Sequence, residues 1–158
     1  MFSIELCKQP ENNPEIIKLV FYCMRNKYTS VSNSDGLTFK EVKSLITGKP
    51  VSVIKNDGKI VGIVRTSFAD TNLKSRLDLD IDSSYFYVGM IYIANKERGK
   101  GYASKTLSHF LKEHKNILYI AHQSNVSSNK VGSKHLDFFK KYSTFGSFEP
   151  YNVYKIEQ

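Results

Sequence analysis

The sequence has little of what would tie it to a membrane or an oxidising compartment. Its longest strongly apolar run, Tyr85 to Ala94, is far short of the ~20 residues that cross a bilayer. The amino terminus, MFSIELCKQP, carries an acid and a lysine where a secretion signal needs an apolar stretch. Cysteine is scarce: Cys7 and Cys23 make no disulfide framework, and the histidines do not stand at zinc-finger spacing. There is no internal repeat, no Pro/Gly-rich linker and no low-complexity segment. These absences predict a cytoplasmic protein, a single domain over residues 1–158, two reduced thiols and no metal. Acids are also in short supply, 15 against 23 Lys and Arg, so the net charge is +8 and the pI about 9.4. The surface field therefore favours anions, which leaves nucleic acid, anionic lipid or a phosphorylated small molecule as partners.

What is present reads as a mixed α/β domain. Phe2 to Lys8 alternates loosely as a first strand. Asn13-Pro14 opens a helix with a cap and a Pro at the first helical position, and Ile16, Ile17, Val20, Phe21 and Met24 share one face. Thr38-Phe39-Lys40-Glu41 is a capping box, and Gly48 closes the helix it begins. Val51–Ile54 and Ile60–Val64 flank Asn56-Asp57-Gly58, a strong hairpin signal. Tyr85 to Ile93 predicts a central strand, Gly101 to Glu113 a helix, and Ile117 to Ala121 a buried strand. Val131, His135, Phe138, Phe139 and Tyr142 recur at helical spacing, and Val153 to Ile156 ends the chain as a strand. The predicted order is β-α-α-β-β-β-α-β-α-β.

One junction asks for more than a turn. The strand ending at Ile93 runs through Asn95-Lys96-Glu97 into Arg98-Gly99-Lys100-Gly101, and a helix starts at once. A turn needs one glycine and no charge. The first turn of a helix leaves amide N–H groups unpaired and carries about half a positive charge. Glycines let backbone approach an anion closely, and Arg98 and Lys100 add mobile charge. A pyrophosphate is the natural guest. Neither G-x-x-x-x-G-K-[ST] nor G-x-G-x-x-G is present, since residue 104 is serine.

Arg98-Gly99-Lys100-Gly101-Tyr102-Ala103 resembles motif A, [QR]-x-x-G-x-[GA], of the GNAT acetyltransferase superfamily. Ile91-x-Ile93-x-Asn95 occupies the position of that family's apolar-x-apolar-x-Pro, with Asn95 in place of the usual Pro. The predicted element order is similar to the family's throughout. The resemblance implies acetyl-coenzyme A as co-substrate, with its pyrophosphate on Arg98, Gly99, Lys100, Gly101, Tyr102 and Ala103, and Ser104 in the same first turn. It also implies a pantetheine arm paired with Ile91, Tyr92 and Ile93. A cofactor-contacting Asn falls on Asn129, with Gly132 at the small position after it and Asn125 as the alternative. The family's Tyr before a Gly-Phe does not carry over directly; Tyr142 lies one helical turn beyond the matching position.

Acetyl transfer to an amine needs a neutral amine, a polarised carbonyl and a proton for the departing thiolate. The resemblance assigns the carbonyl to a backbone N–H near Tyr92 or Ile93. Tyr142 is the candidate proton donor. Tyr85 to Ile93 holds no carboxylate, so His122, at the end of the following strand, is the candidate base acting through water. Asp78, Asp80 and Asp82 do not make a calcium loop, because Ser83 and Gly89 stand where a turn glycine and a bidentate Glu belong. On an alternating strand they form either a solvated edge or an acidic wall for a cationic acceptor. The +8 charge repels polycationic acceptors, so the expected acceptor is a primary amine of a small or amino-acid-like molecule. Two alternatives stand: a protein or peptide N-acetyltransferase, and a non-catalytic acyl-coenzyme A-binding or nucleic-acid-binding module. Scattered basic residues without interleaved aromatics argue against nucleic acid. A homodimer is left open.

Overall fold

The structure is a computed structural model that describes residues 1–25, 37–69, 81–123, 125–142 and 151–156, with the backbone alone at positions 90, 122, 138–142 and 151. In chain order the elements are β1 (Phe2–Cys7), α1 (Pro14–Met24), α2 (Phe39–Ile46), β2 (Val51–Asn56), β3 (Lys59–Phe68), β4 (Phe86–Ile93), α3 (Tyr102–Glu113), β5 (Ile117–His122), α4 (Val126–His135), β6 (Asp137–Tyr142) and β7 (Tyr151–Ile156). The strands form one mixed sheet of seven in the order β1-β2-β3-β4-β5-β7-β6.

Local chemistry sets the element ends. The Asn13 side chain accepts from the amides of Glu15 and Ile16, at 3.0 and 3.3 Å, with Pro14 at the first helical position. Thr38 and Glu41 form the reciprocal capping box: the Thr38 amide donates to Glu41 at 2.7 Å and the Glu41 amide to Thr38 Oγ1 at 3.3 Å. Gly48 leaves α2 in the left-handed region, at φ +71°. Asp57 and Gly58, at φ +50° and +76°, make the tight reversal between β2 and β3, whose twist matches the paired strands.

The chain divides into two compact units. In the first, Met1–Arg65 with Met90–Ala103, β1 and β2 pair antiparallel and β2 pairs antiparallel with β3. Ile16, Leu19, Val20 and Cys23 of α1 and Val42 and Ile46 of α2 pack with Val53, Ile63 and Tyr92. Burial pushes the Cys23 thiol up to about 12, so it behaves as a small apolar side chain. At Gly62 of β3 the chain of β4 comes close: a Cβ there would land on the Tyr92 carbonyl oxygen and 2.9 Å from Ile93 Cδ1. The Ala94 amide donates to the Val61 carbonyl at 2.9 Å, tying down the end of β4.

The second unit is Thr66–Gly89 with Ser104–Gln158. Here β4 and β5 run parallel, with Phe86, Val88 and the residue between them in register with Ile117 to Tyr119. β5 pairs antiparallel with β7 over its whole length. Leu118 and Val153 pack with Ala69, Ile81 and Tyr85, while Phe86 stacks on His114 at 3.7 Å and tilts against Phe110 at 5.4 Å.

The periodicity over 131–142 misleads. α4 ends at His135, Leu136 is extended (φ −133°, ψ 159°), and Asp137–Tyr142 is strand β6, paired antiparallel with β7. The run DFFKKY suits a strand as well as a helix, and pairing with β7 satisfies its backbone, so tertiary context decides. The order therefore contains one strand more than expected. Most of the acidic alternation, including Asp78 and Asp80, lies outside the described residues. Within them Ile81 is buried, and Asp82 is exposed and accepts from the Ser84 amide at 2.8 Å.

Gly62→Ala should destabilise the protein by about 1–3 kcal/mol, because the methyl group has to push backbone rather than a flexible side chain. Urea denaturation checks this, and an unchanged midpoint would mean that β3 and β4 are not in that contact.

Candidate functional site

The strand-to-helix junction is built from five constraints, four of them local in the chain. After Ile93 the chain makes a 3-10 turn at Asn95–Glu97, with the Glu97 amide donating to the Ala94 carbonyl at 2.8 Å. Arg98 is extended (φ −69°, ψ 156°) and folds its side chain back. Its Nε donates to the Ile93 carbonyl at 3.1 Å, and its guanidinium lies 5.4 Å from the centre of the Tyr92 ring. Lys100 Nζ donates to Glu97 at 2.7 Å across the turn, and this bond holds the lysine pKa above its ordinary value. Tyr102, the first residue of α3, is buried and stacks on Phe2 with centroids 6.5 Å apart. Gly99 and Gly101 take left-handed conformations, φ +80° and +78°.

These glycines differ from Gly62 in what surrounds them. A Cβ at either would meet nothing within 4 Å. Glycine stands at 99 and 101 because the backbone turns left-handed, and the space beside it is left open. Such a loop, leading into amides that have no intrahelical partner, fits a diphosphate: backbone donors, the helix dipole and room for close approach. Arg98, exposed at the same turn, is fixed to the end of β4, so its charge sits in a defined place.

Ser104 stands in the first turn of α3, and its Oγ is 2.6 Å from Nε2 of His135, the last residue of α4. Burial first, and the neighbouring Lys134 second, hold the His135 pKa below its ordinary value, so the ring is neutral near pH 7. Nothing in the sequence pairs residues so far apart; His135 read only as one member of an apolar stripe.

Asn129 lies one turn into α4, and its side chain is committed inward. Its Nδ2 donates to the Asn125 and Gln123 carbonyls at 2.9 and 3.3 Å, and its Oδ1 accepts from Asn152 Nδ2 and the Tyr154 hydroxyl, both at 2.8 Å. Two donors and two acceptor positions are thereby filled, so a ligand would reach this amide only by displacing a bond. Asn125 caps α4, accepting from the Ser128 amide at 3.1 Å. Gly132 is needed for packing, since a Cβ there would come within 2.8 Å of the Tyr154 ring. Tyr119 bonds Ser128, and burial pushes its phenol up to about 12.

The side chains of His122 and Tyr142 lie outside what the structure describes; their backbone positions do not. His122 ends β5 and Tyr142 ends β6, and both are in register with Tyr151 at the start of β7. The two positions therefore sit in one row across three neighbouring strands.

The sequence profile of the acetyltransferase (GNAT) family matches residues 24–138, which contain the junction, α3 and α4. The chain belongs to this family. No curated protein sequence matches it. Solved structures share the family fold at low identity. The aminoglycoside acetyltransferase AAC(6')-Ib, in complex with coenzyme A, superposes with a TM-score of 0.72 at 11% identity, covering 99% of this chain and 95% of that one. Salmonella typhimurium yncA, solved with its cofactor acetyl-CoA, gives 0.67 at 13% over 99% and 93%. The ribosomal-protein-alanine N-acetyltransferase of Brucella melitensis gives 0.68 at 13% over 99% of both chains. These likenesses agree with the mixed α/β fold. Among the described residues no group of His, Cys, Asp or Glu could hold a metal ion, and no helix is long and apolar enough to cross a membrane.

Replacing Gly101 by alanine should cost about 1–2 kcal/mol through the left-handed backbone alone, with no packing loss to add. Chemical denaturation reads this directly; a neutral substitution would contradict the geometry of the junction.

Proposed function

We propose that this GNAT-family protein is an acetyl-coenzyme A-dependent N-acetyltransferase whose acceptor is a primary amine on a small or amino-acid-like molecule. The observation that carries the reading is the open, left-handed Gly99/Gly101 loop leading into α3. Bound acetyl-coenzyme A supplies an activated acyl thioester. Arg98, Gly99, Lys100, Gly101, Tyr102, Ala103 and Ser104 would hold its diphosphate through amides, the Ser104 hydroxyl and cationic side chains. For Lys100 to do so it exchanges its Glu97 partner for the phosphate, a cheap exchange between exposed groups. Ile91, Tyr92 and Ile93 would present backbone groups to the pantetheine arm. The Ile93 carbonyl already accepts one hydrogen bond, from Arg98 Nε, which leaves it a second acceptor position.

Tyr142 is proposed to protonate the thiolate and His122 to take the amine proton through water. Support comes from their shared register row through Tyr151. Asn129 is proposed to serve the cofactor by bracing the start of α4 against β7, which its four internal bonds favour over direct contact. The acceptor assignment rests on charge: at +8 the chain attracts the polyanionic cofactor and repels polycations. A reducing, cytoplasmic setting is proposed from the two cysteines, Cys7 and Cys23, which form no disulfide.

Thiol release from acetyl-coenzyme A, measured across a panel of small amines, amino acids and peptides, tests the activity. Release that depends on a small amine is expected; release with peptides alone would move the acceptor to protein, and none with any amine would favour a binding module. In the active pair, Tyr142→Phe should lower kcat by ~10²-fold while leaving KM for acetyl-coenzyme A nearly unchanged. A full-rate variant would remove Tyr142 from the proton path.

A further inference from the structure

The Ser104–His135 pair joins the first turn of α3 to the last residue of α4, next to the loop proposed to hold the diphosphate. Cβ atoms in a helix point back toward its amino terminus, so a side chain at Ser104 leans over the turn that precedes it. The hydroxyl thus belongs to the first turn of α3, and His135 reaches it from the end of another helix at 2.6 Å.

The direction of that hydrogen bond decides what Ser104 can offer an anion. A serine hydroxyl has one hydrogen. If His135 is neutral with its proton on Nδ1, Nε2 accepts and the serine hydrogen points at the ring, so the oxygen turns only lone pairs outward. If Nε2 carries a proton, the ring donates to Oγ and the serine hydrogen is free for a phosphate oxygen. A diphosphate therefore favours the states with a proton on Nε2, and its negative charge favours the imidazolium among them.

We infer that His135, acting through Ser104, is a proton-linked positioning residue for the diphosphate, so that ligand binding at the head of α3 takes up a proton. The inference rests on the reading of that loop as a coenzyme A cradle and adds a regulatory property to it. Among the described residues, Lys134 on its own helix acts on His135, while Lys105 follows Ser104 on α3, Asp137 heads β6, and the Tyr119 and Tyr154 rings lie against α4 at Gly132. Burial and Lys134 keep the free ring neutral near pH 7, and a bound anion acts in the opposite direction.

The sign follows. The free-state pKa lies below the ordinary value of about 6.5, and the bound-state pKa is higher. Between them each binding event takes up a fraction of a proton, and affinity rises as pH falls through that window, by at most about tenfold per pH unit.

The test is calorimetric titration with dephospho-coenzyme A, which keeps the diphosphate and lacks the phosphomonoester that would itself titrate near pH 6. Run near neutral pH in two buffers of different protonation enthalpy, it should report uptake of between zero and one proton per site. His135→Gln, which offers a fixed N–H donor and cannot titrate, should bind with a dissociation constant that no longer varies with pH and with no uptake. Ser104→Ala should also abolish the uptake. In parallel, the His135 ring followed by NMR in the wild type should titrate at higher pH with ligand than without. Binding without uptake, uptake retained in His135→Gln, or an unmoved ring pKa would overturn the inference while leaving the cradle intact. No binding by folded wild type at any pH would overturn the cradle reading and this inference with it.

Discussion

Two left-handed residues between β4 and α3 are the constraint on which the site depends. With φ near +80° at both Gly99 and Gly101, the chain leaves the sheet and enters a helix within a few residues. A side chain at either position would be strained even though nothing crowds it. The contrast with Gly62 is informative, because there the β4 backbone itself fills the place of a Cβ. One glycine lets two strands come together; the other two face open space.

The junction is braced before any ligand arrives. Arg98 bonds the strand end, Lys100 bonds Glu97, and Tyr102 is anchored on Phe2. Each of these contacts is modest, and exposed ion pairs add little to stability. For the diphosphate proposed to bind here, their effect would be to spare it the cost of ordering the loop, the usual benefit of preorganisation. In the second unit Asn129 ties the start of α4 to Asn152 and Tyr154 on β7.

Much of this was legible in the sequence because it was local. Asn13-Pro14, the Thr38–Glu41 box, Asp57-Gly58 and the Arg98–Ala103 run each act within a few residues, and each takes the form its chemistry dictates. Non-local chemistry was not legible. DFFKKY carries helical spacing and strand composition together, and only the neighbouring β7 decides between them. The inward commitment of Asn129 depends on partners on a later strand. The bond from Ser104 to His135 joins the start of one helix to the end of another, for which sequence has no signal. The candidate catalytic positions stand between these cases: His122 and Tyr142 lie far apart in the chain, and sheet register aligns them through Tyr151.

The central claim is that the backbone of the Gly99/Gly101 loop and the first turn of α3 grip a diphosphate. Backbone amide NMR during titration with coenzyme A tests it most directly, since an N–H that gains an anionic acceptor moves downfield. The account predicts that the largest downfield shifts fall on Gly99 and on Gly101 to Ser104. Binding that leaves these amides unmoved while shifting others would contradict it.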